Sequence, residues 1–357
     1  MHDWFYGEHI TWNRAFANVK FNQLIFAGDD TGVTTTTYAL ATWRNPFAGV
    51  APTGGPVRIR ICDFYRFDGE RISHNWMMLD VADMMRSAGR RVVPKATALP
   101  DEGTFLPPRA MDGLPAPISA FVVSGASDAS RAVAAKLLES EWKGSGDTRA
   151  LWHEDMLFYG PSGVGLAKGY DQYHAHVLRP LWAAFAERRF DLDSLVCEGA
   201  FCGAHGYLVG THVGCYLGQH PRLDASAAEV RVRVGMHWHI SDGKALDGYA
   251  FYDAPAFFNQ FGVDVFVRAN DPANHPLPTA CPPVAEELVV TTTAAAVLKE
   301  PHDSKPRFNV ETMLKSFNFV CALVAAAIAA VGLLLGGRAC TATSIKRTPL
   351  AAPLLET

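Results

Sequence analysis

Histidine is concentrated in one stretch of this chain. Of 13 histidines, eight lie between His153 and His239: His153, His174, His176, His205, His212, His220, His237 and His239. His237 and His239 sit two apart in an alternating segment, so a strand there turns both imidazoles to one face. If that face lines a dry pocket, the pair can accept and donate protons near neutral pH, as removal of a proton from an acidic carbon requires. His153 with Asp155, and His174 with His176, come from the segment that precedes the strands. For any single histidine, a place in the core or on the surface is the plainer expectation. The spacings His174-x-His176 and His237-x-His239 could supply four imidazoles to a metal, but no accompanying pattern specifies such a site, and no metal is expected. The glycines of Gly160–Gly169 do not follow a strand as a dinucleotide fingerprint requires.

The elements that must position these groups occur twice. Asp63–Val93 and His237–Phe266 each read as an alternating aromatic strand, a DG turn, a second strand, an aromatic, an Asp, and a helix with a glycine near its end. Asp68-Gly69 and Asp242-Gly243 are the hairpin signals. Trp76 and Tyr249 take equivalent places, as do Asp80 and Asp253. Upstream, Phe16–Gly28 pairs with Phe185–Gly199, and Thr42–Gly54 with Thr211–Leu223. Matching landmarks in the same order indicate duplication. The second copy, 126–270, opens with a helical stretch, ASRAVAAKLLESEW, capped by Ser127 or Asp128. The first copy, 1–96, has no counterpart and reads as N-terminally incomplete. Residues 97–125, rich in proline, read as an extended linker, and 271–316 as a second one. Asp253 itself has two readings. It could be a catalytic carboxylate at a strand end, or the N-cap of the helix that begins Ala254-Pro255.

Residues 317–336 are different in kind. Phe317–Leu335 carries no charge. Nineteen residues at about 1.5 Å each span about 28 Å, the thickness of a bilayer core. With the short tail 337–357, the segment reads as a single-pass C-terminal membrane anchor. Three basic residues lie before it (Lys305, Arg307, Lys315) and three after it (Arg338, Lys346, Arg347), so charge sets no orientation. No signal peptide is visible at the N-terminus, which favours a cytosolic globular region. The composition of the whole chain is that of folded domains, with 49% hydrophobic and 19% charged residues. A net charge of −4 excludes a basic nucleic-acid groove. The seven cysteines are odd in number and scattered, without a CxxC, which favours reduced thiols over a disulfide framework. No basic neighbour pattern marks Cys202 or Cys215 as an activated thiolate.

The second copy resembles the SnoaL-like polyketide cyclase family of the nuclear transport factor 2-like superfamily. The resemblance runs through HEDMLFYGPSGVGLAKG, RPLWAAFAERRF, CEGAFCGAHGYLVGTHVGCYLG and YAFYDAPAFFNQFGVDVFVR, and the first copy shares ICDFYRFDGERISHNWMMLDVADMM. It implies an α+β fold of two cones, each a curved antiparallel sheet with N-terminal helices in its concave face, the first copy shortened. It further implies that the copies pair sheet against sheet, within the chain or between chains. Family chemistry implies a hydrophobic small-molecule ligand and cofactor-free cyclisation, isomerisation or dehydration, with a non-catalytic scaffold as the alternative. On that basis Asp253, His237 and His239 are the catalytic candidates. The pocket candidates are His153, Asp155, Tyr159, His174, His176, Trp182, His212 and Tyr249, with Asp80 and Trp76 as first-copy equivalents.

Overall fold

The structure, a computed structural model, describes residues 10–96, 98–100, 105–117, 127–144, 148–221 and 229–284. All belong to one unit of the chain, Met1–Leu298. The second unit, Lys299–Thr357, lies outside the described residues, and with it the expected anchor. Among the described residues no helix is long and apolar enough to cross a membrane.

The first copy contains helix α1 (Ile10–Ala15), strands β1 (Phe16–Gly28), β2 (Gly32–Trp43), β3 (Pro56–Asp68) and β4 (Arg71–Leu79), and helix α2 (Val81–Ser87). Its four strands form an antiparallel sheet in sequence order. The second copy begins with α3 (Ser127–Lys143), then β5 (Trp152–Tyr159) and β6 (Leu166–Lys168). Next comes a helical run made of α4 (Tyr170–Tyr173), a π-helical turn (His174–Leu178) and α5 (Arg179–Ala184). Strands β7 (Phe185–Glu198), β8 (Phe201–His212), β9 (Glu229–Ser241) and β10 (Lys244–Tyr252) follow, then α6 (Ala254–Asn259) and α7 (Val265–Asn270). The six strands are ordered β6-β5-β10-β9-β8-β7, with β5 parallel to β10 and the other pairs antiparallel.

The duplication extends to backbone irregularities. Asn18 and Glu187 both have positive φ beside a bulge near the start of β1 and β7. Ala48-Gly49 and Leu217-Gly218 repeat the same left-handed pair in the turn after the next strand. Each pair is 169 positions apart. A non-glycine residue at positive φ is uncommon, so two such matches at one spacing are a strong mark of common descent within the chain. Asp80 and Asp253 add a third match. They cap α2 and α6 with nearly equal backbone angles (φ −73°, ψ 79° and φ −72°, ψ 80°), each accepting from the amide three residues on.

Each strand splits its side chains between two faces. In the second sheet Trp152, Phe158, Cys202, Ala204, Met236, Trp238 and Tyr252 face inward, against α3 and the helical run, in the main core. The opposite face carries Tyr159, Phe201, Tyr249 and Phe251, which join Tyr38, Cys62, Phe64 and Met78 of the first sheet in a second core. The two sheets therefore pack against each other within one chain. Two glycines allow the approach: a Cβ at Gly235 would sit 2.5 Å from Cys62 Sγ, and one at Gly203 2.6 Å from Thr34 Oγ1. Residues 97–125 are not a free linker where they are described. Phe105 is buried among Tyr159, Tyr249 and Phe251, and Arg109 forms an ion pair with Asp247. An aromatic and a charge able to seal the seam hold this proline-rich stretch in place.

Candidate functional site

Among the described residues, the interior of the second cone contains one carboxylate buried against its helices, Glu141. It sits on α3, whose buried stripe includes Ala134, Leu137, Leu138, Glu141 and Trp142. Glu141 Oε1 accepts from Trp152 Nε1 at 2.7 Å, and Oε2 accepts from the Tyr173 hydroxyl at 2.9 Å. Its backbone carbonyl accepts from Trp182 Nε1 at 2.6 Å. Burial pushes the Glu141 carboxyl up to about 7, against the lowering effect of the two donors. A carboxyl that exchanges its proton near neutrality in a dry site is suited to general acid/base work.

Tyrosines connect this carboxyl to a cavity. Burial and the proximity of Glu141 raise the Tyr173 hydroxyl well above its ordinary value, and burial raises Tyr252 to about 12. The hydroxyls of Tyr252 and Tyr216 perturb each other, but Tyr216 OH is buried outside hydrogen-bond geometry. Tyr216 also lines a cavity of about 190 Å³ beside the helical run. Pro94, Leu99, His176, Cys215 and Cys281 form other parts of its wall. Three further polar atoms on the interior side are buried without a hydrogen-bond partner: Trp142 Nε1, Trp238 Nε1 and His212 Nε2. Buried polar atoms are nearly always satisfied, so each of these three is an exception, and none of the three residues lines the cavity.

The sequence-based candidates separate into groups. His212 is buried on the interior side, its imidazole lowered by burial. His174 stacks on Tyr170 and meets Trp182 edge-on, and burial and Arg179 lower it. His176 is exposed on the cavity wall. His153 Nε2 lies 2.8 Å from the Ser241 carbonyl, to which it donates, and Asp155 is exposed.

His237 and His239 do share a face, but it is the face turned to the first copy. Their expected role in the cone is corrected on that ground. His237 bonds Thr34 Oγ1 at 2.6 Å and stacks on Phe64, and burial lowers it to about 3. His239 Nδ1 lies 3.1 Å from Asp247 Oδ2, and Asp247 also binds Arg109 through its backbone N and Nε, both at 2.8 Å. Tyr159 and Tyr249 stack on each other in the same seam, and Trp76 stacks on His205 across it. They pack the two copies together instead of lining a pocket. Asp253 does not meet the two histidines. Its amide bonds the carbonyl of Arg233, four residues before His237 on β9. At the rise of a strand, four residues separate the two places by about 13 Å. The Asp253 side chain caps α6, the second of the two readings above. Asp80 caps α2 while buried against Arg60. The four-histidine arrangement is not formed, because the pairs lie on different layers.

The cysteines also differ from expectation. Cys197 pairs with Cys202, and Cys215 with Cys281, leaving Cys62 as the free thiol among the described residues. Cross-strand register places Cys197 opposite Cys202, a proximity that scattered positions in the sequence conceal. Glu141 escapes a reading led by histidines and strand ends, although the sequence carries a signal for it: a Glu at a core position of an otherwise apolar stripe.

Comparison with known proteins bears on the same two regions. The SnoaL-like polyketide cyclase family matches residues 6–88, and the SnoaL-like domain family matches residues 144–247. The solved structures it resembles include a SnoaL-like protein from Jannaschia sp. CCS1, 16% identical, which covers 42% of this chain and 95% of that one with a TM-score of 0.33. IdmH from Streptomyces antibioticus is 18% identical over 38% of this chain and 99% of that one, TM-score 0.33. A nuclear transport factor 2-like protein from Burkholderia thailandensis E264 is 17% identical over 38% and 97%, TM-score 0.31. No curated protein sequence matches the chain. With a family match on each of the two repeated sheets, the chain belongs to the SnoaL-like family, as a tandem of two copies.

Proposed function

We propose that the second copy binds a small, largely apolar molecule and moves a proton on it without a cofactor, with Glu141 as the acid/base group. The observation that carries this reading is the buried Glu141 carboxyl, near neutral in pKa and held by Trp152 and Tyr173. The ligand occupies the cavity walled by Tyr216, whose hydroxyl, buried beside that of Tyr252, is the donor assigned to the reacting oxygen. Glu141 accepts or returns the proton through the intervening tyrosines. Enolisation, the step common to cyclisation and isomerisation, needs these two elements: a base near pH 7 and a donor for the enolate oxygen. The first copy is the packing partner, because its described residues include no long helix of the kind that closes the second cone.

The test uses a chemically simple probe, deuterium exchange at the acidic carbon of a 1,3-diketone followed by NMR. The intact chain accelerates exchange with a pH break near 7, and Glu141→Gln abolishes the acceleration. Equal exchange in both proteins refutes the assignment. The alternative, a non-catalytic ligand-binding scaffold, then stands. We further propose that Phe317–Leu335 anchors the chain in a membrane, supported by its length and lack of charge.

A further inference from the structure

The proposed ligand cavity has one wall that is fastened by chemistry. Residues 280–284 line it, and they reach it from the end of the second fold. Three contacts hold this strap. Cys281 is bonded to Cys215 on the turn after β8, 66 positions away. Arg179 Nη2 donates to the Val284 carbonyl at 2.5 Å. Pro278 packs so closely on Gly218 that a Cβ there would lie 2.7 Å from its Cγ.

The surroundings of this disulfide suit thiol exchange. Both cysteines are half-buried, whereas Cys197 and Cys202 are 1% and 0% exposed. Cys215 Sγ lies 3.6 Å from Nε2 of His220, an exposed residue. The Gly218 amide donates to Cys281 Sγ at 3.2 Å. Each sulfur therefore has a group that can stabilise it as a leaving thiolate, and leaving-group stability with access sets the rate of exchange. None of these groups takes part in the chemistry of Glu141.

We propose that Cys215–Cys281 is a redox clasp, opened by a dithiol reductant, which controls access to the cavity. A reductant thiolate attacks Cys281 Sγ, the S–S bond breaks, and Cys215 leaves as a thiolate beside His220 Nε2, through which it takes up the proton that the reductant thiol gave up. The second reductant thiol then attacks the reductant's own sulfur in the mixed disulfide. It releases Cys281 as a thiolate facing the Gly218 N–H, and the reductant ends as its disulfide. Two electrons pass from the dithiol to the cystine, and the two thiol protons of the reductant end on the two cysteines. With the bond gone, the strap loses its one covalent tie and keeps hydrogen bonds such as that from Arg179, together with the proline contact. The cavity holds about 190 Å³. Ordinary ligand pockets run to roughly 300–1,000 Å³, so release of the strap gives the room that a ligand needs.

That consequence rests on the cavity being the ligand site, so the experiment separates the two. The intact, air-oxidised chain is treated with rising dithiothreitol and read in three ways. Alkylation with mass spectrometry is expected to label Cys215 and Cys281 at least tenfold faster than Cys197 and Cys202. Hydrogen exchange is expected to rise over 213–220 and 271–284. Binding of the apolar dye anilinonaphthalene sulfonate is expected to rise several-fold. Cys281→Ser behaves as the reduced protein without reductant, Cys197→Ser responds as the parent does, and His220→Ala slows reduction about tenfold at pH 7 to the same end point. Unselective alkylation, or selective alkylation with unchanged exchange, overturns the clasp. Faster exchange with unchanged dye binding upholds the clasp and refutes the cavity as the ligand site.

Discussion

Replacing Glu141 by Gln tests the proposed acid/base group through stability, with no substrate required. In the folded chain the carboxyl titrates at about 7, against an ordinary 4.5, because burial disfavours the anion. The native state therefore holds this proton more tightly than the unfolded state. The stabilisation is complete below about pH 4.5 and is lost as pH rises to about 7, at about 1.4 kcal/mol per unit. Over that window the loss is about 3 kcal/mol. Glu141 is 1% exposed, so solvent offers little screening. Glutamine keeps the shape, accepts from Trp152, donates to the Tyr173 oxygen, and has no charge to bury. Urea unfolding, followed by tryptophan fluorescence, is expected to show the two proteins nearly equal at about pH 4.5. At about pH 8 the variant is expected to be about 2–3 kcal/mol more stable. A gap that does not change between the two pH values refutes the raised pKa, and with it the case for Glu141 as a base near neutrality.

The seam between the sheets makes an opposite acid prediction. His205 is wedged between Phe64 and Trp76 with both ring nitrogens lacking a hydrogen bond; Asp193 lies 3.4 Å away, and burial with Arg233 lowers it to about 4. As a base with a depressed pKa, it leaves stability intact above about 6.5 and removes about 1.4 kcal/mol per unit below that until about 4. His205→Phe is expected to cut the loss between about pH 7 and 4.5 by about 3 kcal/mol, read by urea midpoints; an unchanged acid slope contradicts this. Gly235→Ala forces a methyl against Cys62 Sγ and Met78 Cε. It is expected to cost about 1–3 kcal/mol in thermal unfolding, partly recovered by adding Cys62→Ala. A chain ending at Ser316 is expected to leave the membrane fraction on centrifugation, and retention there counts against the anchor.

The duplication, the order of strands and helices, and the family are legible in the chain before it folds. DG turns, alternating aromatics and capping aspartates are local signals, and each copy repeats them. That His237 and His239 share a face is legible too, because strand periodicity is a property of the backbone. Which face they share depends on packing. Both faces of β8, β9 and β10 are buried, one by helices and one by the twin sheet, so hydrophobicity along the strand does not tell inside from seam. Glu141 gains its character only when the fold brings Trp152 and Tyr173 to it from 11 and 32 residues away. The pairing of Cys215 with Cys281, 66 positions apart, likewise depends on where the chain returns after its last helix, and no local pattern encodes it.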